Sequence, residues 1–372
     1  MRILLLSCNT GGGHNSAAAA IRSYCEQRGI ECDTRDALLF VSKPHSEVIS
    51  NGHVYIYRHL PQLFGIGYRF EEKHQPRFLY DQMALGAKKF AAYLGDHSYD
   101  AIICTHLFGN MLVTEARKRY GVTLPHYAVI TDYAMYPGTD MVDAHRYFIA
   151  AEQLRDAHLQ AGVPNEKLVV SGIPIGKGFL NAPDKQTARR NLGLPEEGKV
   201  VLLFSGSIGC GKLNRKAPEL EKQLPESAHL VIICGNNSRL FKQLTELCGP
   251  KTTVVGYTDR VAEYMAAADL CITKPGGLST TEMLAVGLPM VLMLSVPGCE
   301  THNLRHFEEL GVAVGTDDWD KALSLAAELI NDDERLTEMR DCLLSIGYPG
   351  GAKVIVDTVL ADIARQESDN HD

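Results

Sequence analysis

The feature that most constrains this chain is a rhythm: short apolar runs, each leading through a glycine turn into a helical segment. The N-terminus sets it. MRILLLSC reads as a buried parallel strand, NTGGGH as a turn, NSAAAAIRSYCEQRG as a helix closed by Gly29, and IECDTRDAL as the next strand. Strand, turn, helix, strand is a βαβ opening. Further strands are expected over 100–105, 126–131 and 147–150, with a helix over 110–120. Strands alternating with helices assemble into a parallel, doubly wound sheet covered on both faces.

Glycines and prolines over 164–195 interrupt the pattern, and then it restarts in KVVLLFSGS, HLVIICG, KTTVVGY, DLCITKPGG and PMVLMLS. The reading is therefore α/β with two Rossmann-like doubly wound domains. The first spans residues 1–165 and the second 166–351, and a last helix over 352–367 packs back on the first. A chain of 372 residues has the length for two such cores. Ligands of doubly wound sheets bind at the carboxyl ends of the strands, so the site is expected in an interdomain cleft.

Composition removes several classes. A net charge of -8 argues against a general nucleic-acid binder. None of the ten cysteines forms a C-x-x-C pair, which removes the zinc and thioredoxin-like readings. Several cysteines fall in apolar strand-like runs, as buried free thiols do. The apolar start, Ile3 to Leu6, is too short for a signal segment, and no apolar run reaches membrane-spanning length. The expected setting is cytoplasmic.

Five turns carry chemistry. Gly11, Gly12, Gly13 and His14 stand between the first strand and the first helix, where glycines admit a ligand and the helix N-terminus disfavours a positive charge. A neutral His14 in that position suits a general base, and equally a capping histidine. Ser205 to Lys212 follows a strand with Ser207 and Gly209 placed for a diphosphate, but Leu213 breaks the P-loop pattern. Gly276, Gly277, Ser279, Thr280 and Glu282 open another helix, and Ser279 with Glu282 has capping-box spacing. Glu300 and Asn303 lie on one side of a helix start, as ligands of sugar hydroxyls or as plain helix-start polarity. Asp132 ends a strand, where it orients a neighbour or caps a turn. Asp318-Trp319-Asp320 fits a D-x-D metal pattern only formally, in an acidic surface stretch. Residues 43–95 differ in character, with nine aromatics and seven basic against four acidic residues. That mixture suits a membrane interface or a lipid, or helices packed on the sheet.

The GGGH turn, the SGSIGCGK loop, VVGYTDRV, KPGGLSTTE and VPGCETHN together resemble monogalactosyldiacylglycerol synthases and processive diacylglycerol glucosyltransferases, over roughly residues 2–345. These are glycosyltransferases of the family-28 type. The transferase that adds N-acetylglucosamine to lipid I is a more distant likeness. The resemblance implies a GT-B fold and inverting transfer from a UDP-sugar to a diacylglycerol-type lipid, with neither cofactor nor metal, at the inner face of the cell membrane. It casts His14 as the base and Ser207 with its neighbours as the diphosphate site. Gly256 and Tyr257 become the uracil site, Glu282 the ribose ligand, and Glu300 and Asn303 the sugar ligands. Residues around Tyr55, Phe64, Tyr68, Arg69 and Phe70 would face lipid. Two positions depart from the pattern: Asn9 stands where plant members carry Asp, leaving Asp132 to orient the base, and Glu300 stands where the lipid I enzyme has Gln. Other readings are a polyprenyl-linked N-acetylglucosaminyl acceptor chemistry, a UDP-N-acetylglucosamine 2-epimerase and a non-catalytic UDP-sugar sensor.

Overall fold

A computed structural model of the protein describes residues 1–9, 12–44, 46–47, 49, 52, 55–56, 60–74, 77–204 and 215–369. The chain forms two compact units, one of Met1–Gly176 with Pro349–Asp372 and one of Lys177–Tyr348.

In the first unit, six parallel strands are ordered β2-β1-β3-β4-β5-β6: β1 Arg2–Ser7, β2 Glu31–Asp36, β3 Ala101–Cys104, β4 His126–Val129, β5 Arg146–Ile149 and β6 Leu168–Val170. Its helices include α1 (Gly12–Gln27), α2 (Pro61–Lys73) and α3 (Leu107–Tyr120). β1 is apolar throughout because both of its faces are covered. Leu4 and Leu6 pack with Phe90, Ile102 and Leu112 on one side. Ile3 and Leu5 pack with Ile21, Ile103 and Tyr127 on the other. The C-terminal helix Ala352–Asp369 completes that second layer through Ile355, Val356 and Val359. Arg146 grips it with a two-pronged contact to Asp362, at 2.9 and 2.8 Å. Arg28 of the segment after α1 reaches Asp357 at 2.9 Å.

The second unit repeats the plan with the order β12-β11-β10-β7-β8-β9: β7 Lys199–Phe204, β8 Ala228–Ile233, β9 Thr252–Val255, β10 Leu270–Thr273, β11 Met290–Met293 and β12 Ala313–Thr316. Two helices matter for the site, α4 (Gly277–Val286) and α5 (Cys299–Glu309). Asp269, at the foot of β10, is held by Arg189 at 2.7 Å and Lys185 at 2.5 Å and accepts from the Val200 amide at 2.7 Å. That carboxylate belongs to the frame.

Two edge strands lie outside the sequence reading. β6 and β12 are short, LVV and AVGT, beside glycines and prolines that mask an edge pairing. Because β6 joins the first sheet, the first unit runs on to Gly176 rather than closing at 165. Within each sheet the strand order reverses at one place, between β1 and β3 in the first and between β7 and β10 in the second. Strand ends at such a reversal splay apart and leave a crevice, so these two places are where ligands are sought.

Candidate active site

At the first reversal, the turn after β1 meets the end of β3. His14 lies in the first turn of α1 beside Gly13. Its Nδ1 is 3.0 Å from the Thr105 carbonyl oxygen and 2.8 Å from the Thr131 hydroxyl oxygen. A carbonyl oxygen only accepts, so Nδ1 carries the proton and Nε2 keeps its lone pair. The Thr105 hydroxyl in turn donates to the His14 carbonyl at 3.1 Å. Desolvation lowers the His14 pKa below the usual 6.5, against opposing effects of the Asp132 charge and the Thr105 carbonyl. The ring is therefore neutral near pH 7, with Nε2 as a proton acceptor.

Asp132 acts on this ring through its charge, and its carboxylate accepts from the Tyr136 hydroxyl. The orientation of His14 comes from Thr105 and Thr131, a role that sequence reasoning gave to neither. Asn9 is engaged elsewhere: its amide donates to Asp36 at 3.1 Å and its oxygen accepts from Asn15 at 2.8 Å. A second histidine also went unnoticed. His106 caps α3, accepting from the Phe108 amide on Nδ1 at 3.1 Å, and its ring stands edge-to-face with His14 at 4.4 Å. Nothing in the local sequence flags it, because the two histidines meet only through the pairing of β1 with β3.

At the second reversal, residues 205–214 follow β7 in the chain. Ser207 and Gly209 therefore lie outside the described residues. The loop after β10 is described. α4 starts at Gly277 with Gly276 as its N-cap, so Ser279 sits in the first turn and the capping-box explanation of Ser279 and Glu282 does not hold. The amides of Gly277, Leu278 and Ser279 head the helix without intrahelical partners. Thr280 is fully buried, and its hydroxyl donates back to the Gly276 and Gly277 carbonyls at 3.0 and 3.1 Å. Its side chain fastens the helix start. Glu282 is buried, and its carboxyl makes no hydrogen bond or ion pair among the described residues; burial raises its pKa to about 8.

Glu300 and Asn303 are also buried, and they hold the same loop. Glu300 Oε1 pairs with Lys274 Nζ at 2.9 Å, and Asn303 Nδ2 donates to the Pro275 carbonyl at 2.9 Å. Lys274 opens the KPGGLSTTE motif, but sequence reasoning gave it no role. The turn into α5 passes through Gly298 at φ +126°, a conformation that costs other residues strain. Gly256 and Tyr257 follow β9, with Tyr257 well exposed. The D-x-D carboxylates have structural partners, since Asp318 caps the helix Trp319–Ile330 and Asp320 pairs with Lys216.

In the 43–95 region, α2 presents Leu63, Ile66 and Phe70 to solvent at i, i+3 and i+7 spacing, with Arg69 beside them. Tyr55 is exposed and Phe64 half-buried, but Tyr68 is only 6% exposed and packs inward rather than toward lipid. Among the described residues no helix is long and apolar enough to cross a membrane.

Comparison with known proteins agrees with this layout. Residues 14–175 match the monogalactosyldiacylglycerol (MGDG) synthase family, and residues 200–341 match the glycosyltransferase family 28 C-terminal domain. The processive diacylglycerol beta-glucosyltransferase of Bacillus licheniformis is 28% identical over 371 residues, covering 96% of this chain and 94% of that protein. The Bacillus subtilis protein of the same name is 27% identical over 374 residues, covering 97% and 95%. Among solved structures, MurG of Acinetobacter baumannii superposes with a TM-score of 0.66 at 16% identity, covering 97% of this chain and 99% of that one. A UDP-GlcNAc 2-epimerase of Neisseria meningitidis bound to UDP-GlcNAc gives 0.62 at 14%, covering 97% and 100%. At those identities the structures establish the fold, which glycosyltransferases and epimerases share. Two six-stranded Rossmann-like units, the first matched by the monogalactosyldiacylglycerol synthase family and the second by the glycosyltransferase family 28 C-terminal domain, make the chain a GT-B glycosyltransferase.

Proposed function

We propose that this enzyme moves a hexose from a UDP-sugar to the hydroxyl of diacylglycerol, or of a glycosyl-diacylglycerol, with inversion and without a metal ion, making a β-glycolipid. The observation that carries the reading is the fixed tautomer of His14: Nδ1–H is spent on Thr105 and Nε2 is left to accept a proton. The acceptor hydroxyl gives its proton to Nε2 as its oxygen attacks the anomeric carbon. The bond to the β-phosphate oxygen breaks on the opposite face, and its electron pair leaves with UDP. A single displacement inverts the anomeric centre. The curated relatives, named for β-glucosyl transfer to diacylglycerol, support the choice of acceptor.

The donor is assigned to the second unit. Glu282 receives the ribose hydroxyls, and backbone at Gly256–Tyr257 receives uracil. Residues 205–214 and the free amides heading α4 take the diphosphate, and Glu300 with Asn303 fixes the loop next to the sugar. The exposed apolar face of α2, with Arg69, docks the enzyme peripherally on the cytoplasmic face of the membrane, where its lipid acceptor resides.

The test is product analysis in EDTA. Incubation with a UDP-hexose and diacylglycerol is expected to yield a glycosyl-diacylglycerol with β configuration by proton NMR. An α-linked product, or a strict need for added divalent ion, would overturn the mechanism.

A further inference from the structure

The Lys274–Glu300 pair holds its loop largely out of water, with Glu300 buried and Lys274 partly so. An ion pair taken out of water gains little net stability. This one is also badly placed for Lys274, whose ammonium lies beside the N-cap of α4: a β-carbon added to Gly276 would sit 3.8 Å from Nζ. A cation there opposes the helix dipole, next to the unpartnered amides of Gly277, Leu278 and Ser279. The adjacent Thr273 hydroxyl is fully buried without a hydrogen-bond partner. The Lys274 ammonium, the Thr273 hydroxyl and the amides heading α4 thus gather donors at this strand end, with Glu300 paired to Lys274.

We propose that Lys274 is a catalytic residue for the leaving group: its ammonium binds the β-phosphate of a nucleoside diphosphate while keeping Glu300, which thereby stands in a fixed relation to the phosphate. The inference rests on the UDP-sugar reading above and adds the cation to it. An ammonium has three donors, so one can stay with Glu300 Oε1 while others reach phosphate oxygens. When the glycosidic bond breaks, both electrons stay on the β-phosphate oxygen and the acceptor's proton goes to His14. UDP then carries one more negative charge than it did within the UDP-sugar, and Lys274 faces that charge, the part a divalent ion plays in other enzymes.

The experiment compares UDP with uridine by calorimetry, and follows turnover, in Lys274→Met, Lys274→Arg and the double variant Lys274→Met with Glu300→Gln. The double variant removes both charges and avoids leaving a buried carboxylate unpaired. Lys274→Met, or the double variant if the single one does not fold, is expected to weaken UDP roughly tenfold or more while uridine binding stays within about twofold, and to lower kcat roughly 100-fold. Lys274→Arg should recover most of the UDP affinity. Equal losses for uridine and UDP would make Lys274 a loop fastener and overturn the proposal. Unchanged UDP affinity and turnover would overturn it while leaving the glycosyltransferase reading standing. Absence of UDP binding by the unaltered protein would overturn both.

Discussion

His14 is poised by two groups that lie 91 and 117 positions away in the chain. His14→Ala is expected to lower transfer by about 100-fold or more with UDP affinity nearly unchanged, since the proton acceptor is lost and the donor site is not touched. Thr131→Val should cost less, several-fold in kcat, with the donor KM unmoved. Because burial lowers the His14 pKa, its neutral form persists on acidification, and the acid limb of the rate profile should fall at a midpoint below 6.5. A midpoint above 6.5 would contradict the neutral-base geometry. Glu282 titrates the other way: its proton is held up to about 8 in the folded state against 4.5 ordinarily. Between those values the folded chain binds a proton the unfolded chain has released, so stability falls as pH rises through that window and stays reduced above it. Glu282→Gln is expected to be more stable than the native protein above about pH 8 and little different below about pH 4. It should also weaken UDP roughly tenfold; a loss of stability with full UDP affinity would return Glu282 to a structural role. His14 could be read from sequence because a glycine turn before a helix is a local signal. Thr105, Thr131, His106 and Lys274 could not, because each owes its place to strand neighbours that only the folded sheet supplies.

At the scale of single elements, α2 leaves an apolar face uncovered. Leu63, Ile66 and Phe70 form an apolar stripe facing solvent, and Phe70 is 63% exposed. Burying side chains of this size in a bilayer surface is worth about 1.5–3 kcal/mol each at most. Changing the three to Ser should reduce co-sedimentation with anionic liposomes at least about tenfold, while the melting temperature stays close to native. Undiminished liposome binding would remove the membrane role from α2. The aromatic and basic bias of 43–95 pointed to this segment, but it could not say which ring faces out: Tyr68 is one turn from Phe64 and packs inward. The same limit applied at α4, where the S-x-x-E spacing imitates a capping box although the helix begins earlier, at Gly277. Long apolar strands such as β1 and β7 announced themselves, whereas β6 and β12 are three and four residues long and exist by virtue of β5 and β11.

For the whole molecule, the doubled rhythm of strand and helix in the sequence was enough to imply two parallel sheets, since no other arrangement buries so many apolar strands on both faces. The path of the chain was less legible: the first unit takes back the last residues, 349–372, after the second is complete. Arg146 and the buried Asp362 anchor that return. Asp362→Ala leaves the guanidinium with the Glu166 carbonyl but without its carboxylate and should destabilise the first unit by about 3 kcal/mol, seen as a lower denaturation midpoint. A midpoint unchanged from native would make the anchor dispensable. Under the proposed function the base, His14, belongs to the first unit and the donor ligands to the second. The most direct test is UDP release by the purified protein in EDTA, across a panel of UDP-sugars, with and without diacylglycerol micelles and with His14→Ala alongside. Release that depends on diacylglycerol, favours one hexose and is abolished by His14→Ala is the expected result. Measurable UDP binding with no lipid-dependent release for any sugar, or release that His14→Ala leaves intact, would contradict it.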